Sequence, residues 1–458
     1  MISRWFVVAF LFGAEALSAD RARAAEPRVA TRKSLPFGQV VDEVVAPGET
    51  PSYPLHLEAG SFLRVRAAYR DVELSLQLIA ADQKPLYQAH QLTLFWIADT
   101  AGEYRIEVVT PRRPVPLGYA IVLQELRAAQ PLDQKRLEAQ RLHDEAAKKK
   151  KTESEEGRRE AILIVERERA LWHEAGDRVQ EAESLLYMEE IEYQLGDVKQ
   201  ARAHCDEARS IAHQAGDRYT EARAVADVGR LLSSWGRIQE AIQNKREAIE
   251  IFRALGDRIN EHALLGNLAI DYRVVGEFER AVELATQALQ YSREVGRPMF
   301  EIFALGTLAR TFEEMGRMPQ ALESAQSAVQ ISRREGLQSL EAYALGRVGS
   351  IQSRIGRMLE AIDTYQQSLV LWQKVGNRWQ QALTRSKLAS AYVASGEAPR
   401  GLELLERSLL EFRSMGDRGG QLQVLYDLAL AKRALGMWRR LGSISTPRSI
   451  FRKPPVAS

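Results

Sequence analysis

Residues Gly216 to Gly256 read GDRYTEARAVADVGRLLSSWGRIQEAIQNKREAIEIFRALG, and this stretch decides the fold. Two apolar-periodic segments of helical length lie between its glycines. In the first, Ala222, Val225, Val228, Leu231 and Leu232 recur at steps of three and four. In the second, Ile238, Ala241, Ile242, Ala248, Ile249 and Phe252 share a face, with Lys245 as the one polar interruption. Each segment therefore carries one apolar stripe at helical period. Glycine just past a helix end suits the left-handed cap, and Asp217 behind Gly216 can cap the helix that follows. The stretch predicts an antiparallel helix pair.

The pair repeats. Gly176, Gly216, Gly256, Gly296, Gly336, Gly376 and Gly416 are spaced by 40, and Gly196, Gly236, Gly276, Gly316, Gly356, Gly396 and Gly436 fall midway. Asp177, Asp257, Asp417 and Asn377 repeat the capping position of Asp217. One helix pair cannot bury its own apolar faces, so such units stack on one another. Period and pattern resemble the tetratricopeptide repeat in a form with extended helices. The small residue of the first helix appears as Gly229, Ala269, Ala309, Gly349 and Ala389. The first alanine of the second helix appears as Ala201, Ala241, Ala281, Ala321 and Ala361, with Gly401 once. The later alanine appears as Ala208, Ala248, Ala288 and Ala328, then as Ser368 and Ser408. Glu189 departs from the small position, so looser packing is expected there. The resemblance implies an all-α superhelix, or solenoid, of about six to seven hairpins over residues 161–436.

Residues 37–126 lose the helical period and alternate instead. Leu63, Val65 and Ala67 do so, as do Val72, Leu74, Leu76 and Leu78, and again Tyr104, Ile106 and Val108. Turn signals at Pro47-Gly48, Ala59-Gly60, Asp82 to Pro85, Ala101-Gly102 and Pro111 to Gly118 separate seven or so short strands, which predicts a small antiparallel β-sandwich. The series Tyr53-x-Leu55-x-Leu57-x-Ala59-Gly60, Asp71-x-x-Leu74, Gly102-x-Tyr104-x-Ile106-x-Val108 and Gly118-Tyr119 resembles the bacterial pre-peptidase C-terminal sandwich, an accessory module of secreted proteins. His56 and His90 lack partners at ligand spacing and read as surface or satisfied histidines. Trp96 reads as core, with a sugar contact as the alternative.

The chain of 458 residues carries a formal charge of +2, which gives no electrostatic sign of a nucleic-acid partner. Its one cysteine, Cys205, sits on an apolar-facing position and reads as a buried structural thiol, with a redox role as the alternative. Residues 1–25 read as an export signal: Arg4, an apolar run from Trp5 to Ala14, and Ala22-Arg23-Ala24 as a cleavage site. A periplasmic or extracellular protein is expected, without a stable membrane span after cleavage; an uncleaved anchor is the alternative. Residues 127–160 read as a charged helical junction, with Lys148–Lys151 as a solvated run.

By the resemblance, the first helix of each pair lines a concave groove. The positions that face it include Arg223, Arg230, Arg273, Phe303, Arg310, Tyr343, Arg354 and Tyr426, with Glu313 and Glu314 offsetting part of the charge. Guanidinium forks bind carboxylates two-pronged and aromatics supply anchoring area. These residues point to a protein or peptide partner with acidic groups, against the alternative that they are solvated helix residues. After Gly436 an apolar second helix is due. Residues 437–458 read instead as an irregular basic tail with prolines, expected to be disordered, and suggest an altered terminus or a purposeful tail. The combination resembles the front half of bacterial proteins ending in a caspase-like CHAT domain. That mechanism needs a cysteine and a histidine in reach of each other, and neither residue type follows His262. No catalytic, cofactor or metal site is expected. A non-catalytic interaction scaffold is the favoured reading, and the regulatory front half of a caspase-like, protease-type protein whose catalytic domain is missing or encoded separately is the alternative.

Overall fold

The structure, a computed structural model, describes residues 29–435 apart from 48, 70–73, 90, 91, 111–115 and 153. The leader-like residues 1–25, the basic tail 437–458 and His90 lie outside the described residues. The chain divides into two compact units, one on each side of the Thr311–Phe312 bond.

The first unit opens with nine strands: β1 (Val29–Arg32), β2 (Val40–Val45), β3 (Glu49–Leu57), β4 (Ser61–Tyr69), β5 (Ser75–Ile79), β6 (Pro85–Ala89), β7 (Thr93–Ile97), β8 (Gly102–Val109) and β9 (Leu117–Ala128). They form a five-stranded sheet in the order β1-β3-β8-β5-β6 and a four-stranded sheet in the order β2-β9-β4-β7. The strand pairs are antiparallel except β1 with β3, which is parallel. Alternation decides the core: Tyr53, Leu57, Leu63, Val65, Leu76, Leu78, Leu94, Ile106, Val108 and Ile121 point between the sheets and are buried. Tyr53 and Tyr119 meet there through their hydroxyls at 2.6 Å. Trp96 packs against this core, as expected. His56 is half-exposed and sits 2.9 Å from Glu103, whose hydrogen bond raises its pKa.

Fifteen helices follow among the described residues. A leading hairpin consists of α1 (Pro131–Lys150) and α2 (Glu155–Glu174), so the charged junction is itself one arm of a helix pair. Lys149 pairs with Glu160 and Lys150 with Glu190, which accounts for two of the four junction lysines. The repeats are α3 (Arg178–Leu195) with α4 (Val198–Gln214), α5 (Arg218–Ser234) with α6 (Ile238–Leu255), and α7 (Arg258–Val274) with α8 (Phe278–Glu294). Next come α9 (Pro298–Glu314) and α10 (Met318–Arg334), α11 (Gln338–Arg354) with α12 (Met358–Val375), α13 (Arg378–Ala394) with α14 (Ala398–Ser414), and α15 (Arg418–Ala434).

From Gly176 to Gly416 the periodic glycines follow the ends of α2 to α14, all with positive φ, as the pattern predicts. At Gly216, φ is +71°. Its N–H donates to the His213 carbonyl at 3.1 Å, and the next N–H donates to Ala212 at 3.0 Å. This paired return bond consumes carbonyls the helix would leave orphaned. Asp217, Asp257 and Asn377 then accept from the N–H three residues on, at 2.9, 3.1 and 3.0 Å. Asp177 does not: its side chain makes no cap bond and turns to Arg64 of β4 instead.

The small residues do what the pattern asks of them. A methyl at Gly229 would lie 2.9 Å from the Lys245 stem, and one at Gly401 would lie 2.7 Å from the Ala389 carbonyl. Cys205 is fully buried, and burial pushes its thiol well above the usual range.

Candidate protein-interaction surface

The first helices of successive repeats touch one another: α3 with α5, α11 with α13, and α13 with α15. Side chains bridge neighbouring first helices with an offset just past one period. Arg230 reaches Glu189 at 2.5 Å with |i−j| of 41, Arg354 reaches Glu313 at 3.0 Å with the same offset, and Ser386 reaches Asp427 at 3.2 Å, again at 41. A helical side chain leans toward its own N-terminus, so the residue one position further on covers the equivalent spot of the neighbour.

In the first unit, this face is laced by buried charge. Arg230 spans Glu189 and Asp227 and lies over the Tyr193 ring, with 4.2 Å to the centroid. Glu189 is buried at the position where other repeats carry small residues. Burial and the neighbouring Asp227 push its carboxyl up to about 8, while Arg230 opposes the shift. Beside it, the Lys245 ammonium lies 2.6 Å from Asp271 and 2.9 Å from the Ser233 hydroxyl, with both charged side chains 1 % exposed. Burial lowers the Lys245 pKa and raises that of Asp271, because each charge is held out of water. The polar interruption in the apolar stripe is one half of a buried ion pair.

The sequence-predicted residues fall into three groups. Arg230 is a holding residue, its guanidinium committed inside the repeat stack. Arg223, Arg273, Phe303 and Arg310 lie half-buried on their helices. Arg223 is close enough to Glu183 to oppose the rise that full burial imposes on that carboxyl, a part it shares with Arg66 of the sandwich. In the second unit, Tyr343 is half-buried, and Arg354 and Tyr426 are exposed. Glu313, only 8 % exposed, takes both Arg347 and Arg354, so two guanidiniums share one carboxylate.

Sequence reasoning missed that the sandwich rests on the array. Arg64 meets Asp177 at 3.1 Å and Arg66 meets Asp217 at 2.5 Å. Two arginines on one face of a strand thus engage two equivalent turns of adjacent repeats. Tyr219, Tyr291 and Val295 join the sandwich core, and Phe62 and Phe95 pack on Ala139 and Trp172. The Gln140 amide bonds both the N–H and the carbonyl of Phe95, at 3.1 Å each, and so covers part of the open edge of β7.

Comparison with known proteins supports the repeat assignment. The tetratricopeptide repeat model matches residues 190–254 and 260–334, which identifies those residues as tetratricopeptide repeats. No curated protein matches the chain. Among solved structures, the chain is similar to BtubC from P. vanneervenii at 20 % identity, over 48 % of this chain and 98 % of that one, with a TM-score of 0.40. It is similar to a signal transduction ATPase with a tetratricopeptide repeat sensor from Pyrococcus horikoshii at 14 % identity, over 64 % of this chain and 47 % of that one, with a TM-score of 0.47. It is similar to a Rap protein complexed with Competence and Sporulation Factor at 13 % identity, over 67 % and 99 %, with a TM-score of 0.43. No helix of the described residues is long and apolar enough to cross a membrane.

Proposed function

We infer that this chain is a non-catalytic interaction scaffold that holds a protein or peptide partner with acidic groups against the first helices of its repeats. The observation that carries the reading is the arginine pair at Glu313. Arg354 is held from beneath by a buried carboxylate 3.0 Å away, yet half of its side chain faces solvent. Arg347 draws on the same carboxylate, so the group keeps an excess positive charge. A tethered guanidinium loses less freedom on binding than a loose one, and its remaining donors fit a carboxylate fork. Tyr343, about one turn before Arg347 on the same helix, adds aromatic area. The leader-like residues 1–25 support placing this work outside the cytoplasm.

Selection of a random peptide-display library on the full chain tests the reading. Recovered peptides are expected to be rich in Asp and Glu. Their affinity should fall tenfold or more with Arg354→Glu, the scale of one or two lost charge-assisted contacts. Recovery of peptides without acidic bias, or affinity unchanged by Arg354→Glu, would overturn it.

A further inference from the structure

We propose that His143 is a pH-dependent clasp: protonated, it fastens the sandwich and the leading hairpin to the first repeat, and deprotonated, it loosens that junction. Its partner, Glu168 of α2, is fully buried and joins three helices. His143 Nδ1 of α1 lies 3.2 Å from Glu168 Oε2. Glu168 Oε1 accepts from the Trp172 indole N–H on the same helix at 3.1 Å and from the Ser184 hydroxyl of α3 at 2.9 Å. The sandwich rests directly on this hub. The Trp172 ring packs on Phe95 of β7 with centroids 5.2 Å apart. Gln140, on the same helix as His143, holds the Phe95 backbone, and Asp144 beside His143 receives the Tyr87 hydroxyl of β6 at 3.4 Å.

The charges around His143 are mostly acidic. Glu168 faces it from α2, Asp144 from α1 and Glu183 from α3. The Tyr187 ring of α3 packs on the imidazole with centroids 4.8 Å apart, and Lys150 of α1 lies over that ring while pairing with Glu190 at 2.6 Å. The sandwich adds Tyr87, on Asp144, and Arg66, which acts on Glu183. Among the described residues, His143 is the one cation paired with Glu168. Two later histidines show the contrast. His173 shares Glu181 with Arg178, and His213 shares Glu221 with Arg218, so each of those carboxylates keeps a cation at any pH.

A neutral imidazole can keep its Nδ1–H on Glu168, so the hydrogen bond survives deprotonation. The charge does not. A fully buried carboxylate is then left with neutral donors only and with Asp144 and Glu183 close by, and a buried charge without its partner is costly. Burial favours the neutral imidazole, but Glu168, with Asp144 and Glu183 behind it, outweighs burial and raises the His143 pKa above the ordinary 6.5. The stabilisation is therefore complete below 6.5 and is lost as pH rises through the raised value. Because the hub lies under Phe95 and Tyr87, the loss falls on the attachment of the sandwich to the first repeat, and the second unit is spared.

Hydrogen exchange of the full chain, read by mass spectrometry and corrected for the intrinsic pH dependence of exchange, is the test. Every protein compared carries Glu189→Gln, so that the buried carboxyl there contributes no proton of its own. In this parent, protection in β7, α1 and α2 should fall tenfold or more between pH 6 and pH 9, while protection in α13 and α14 stays level. His143→Gln keeps a donor for Glu168 without the charge, so its protection should be low at both pH values. His143→Gln with Glu168→Gln removes the lone buried charge as well. That variant should hold the parent's pH 6 protection at both values, which keeps the test open where the single variant fails to fold. Protection in the parent that is level across this range, or a step that persists in either variant, would overturn the proposal.

Discussion

Lys245 shows how a single residue can be read correctly and still be misplaced. Its polarity interrupts the apolar stripe of α6 in plain view. The partner that explains it, Asp271, lies 26 positions away on the next repeat, and no local pattern joins the two. Removing one member should leave the other charge buried and alone. Asp271→Ala is expected to cost about 3–5 kcal/mol, whereas Lys245→Met with Asp271→Leu should be close to neutral, because an apolar pair avoids the desolvation of both ions. Urea unfolding of the three proteins decides it. Glu189 makes a pH-dependent prediction. Its folded-state pKa of about 8 lies above the ordinary 4.5, so the fold holds a proton that the unfolded chain releases. That stabilisation is complete below the lower value and is lost as pH rises through the upper one. The wild type should therefore melt lower at pH 9 than at pH 6, and Glu189→Gln should remove most of the difference. An equal pH dependence in both proteins would contradict the assignment.

The helix hairpin is the element that sequence made most legible, because its determinants are local. Glycine at a left-handed turn, a carboxylate behind it and two stripes at helical period lie within one 40-residue window. The turns hold a further regularity that periodic apolarity does not reveal. Arg253 meets Glu261, Arg293 meets Glu301 and Arg333 meets Glu341, each eight positions on across the glycine, and His173 and His213 meet Glu181 and Glu221 likewise. Later repeats replace the ion pair with Gln381 donating to the Trp372 carbonyl and Gln421 to that of Phe412. Gly401 is the sharpest test at this scale. Other repeats place alanine there, but at this turn a methyl would meet a backbone carbonyl, which cannot rotate away. Gly401→Ala should destabilise by about 1–3 kcal/mol, the usual cost of overpacking, despite alanine's better helix propensity. Hydrogen exchange in α13 and α14 should report the loss, and slower exchange in the variant would show that the helices can part.

At the scale of the molecule, the contact between the sandwich and the early repeats was the least legible feature, since it joins residues as far apart as Arg64 and Asp177. Strand alternation accounts for Leu63 and Val65 in the core, but it leaves the role of the arginines on the other face open. Arg66→Ala would leave Asp217 and Glu183 buried without their shared cation. It should speed amide exchange at the start of α5, and unchanged exchange would mean that the pair is incidental. The sandwich then acts as a brace for the first repeats, while the second unit offers the tethered arginines. The most direct measurement places a photocrosslinking amino acid on the full chain at position 343 of α11 and, as a control, at exposed position 359 of α12, and exposes both proteins to an extract of the source cells. The scaffold reading predicts that one protein partner is captured from position 343, that the yield falls with Arg354→Glu, and that position 359 captures none of it. Equal capture at the two positions, or capture indifferent to Arg354→Glu, would contradict it.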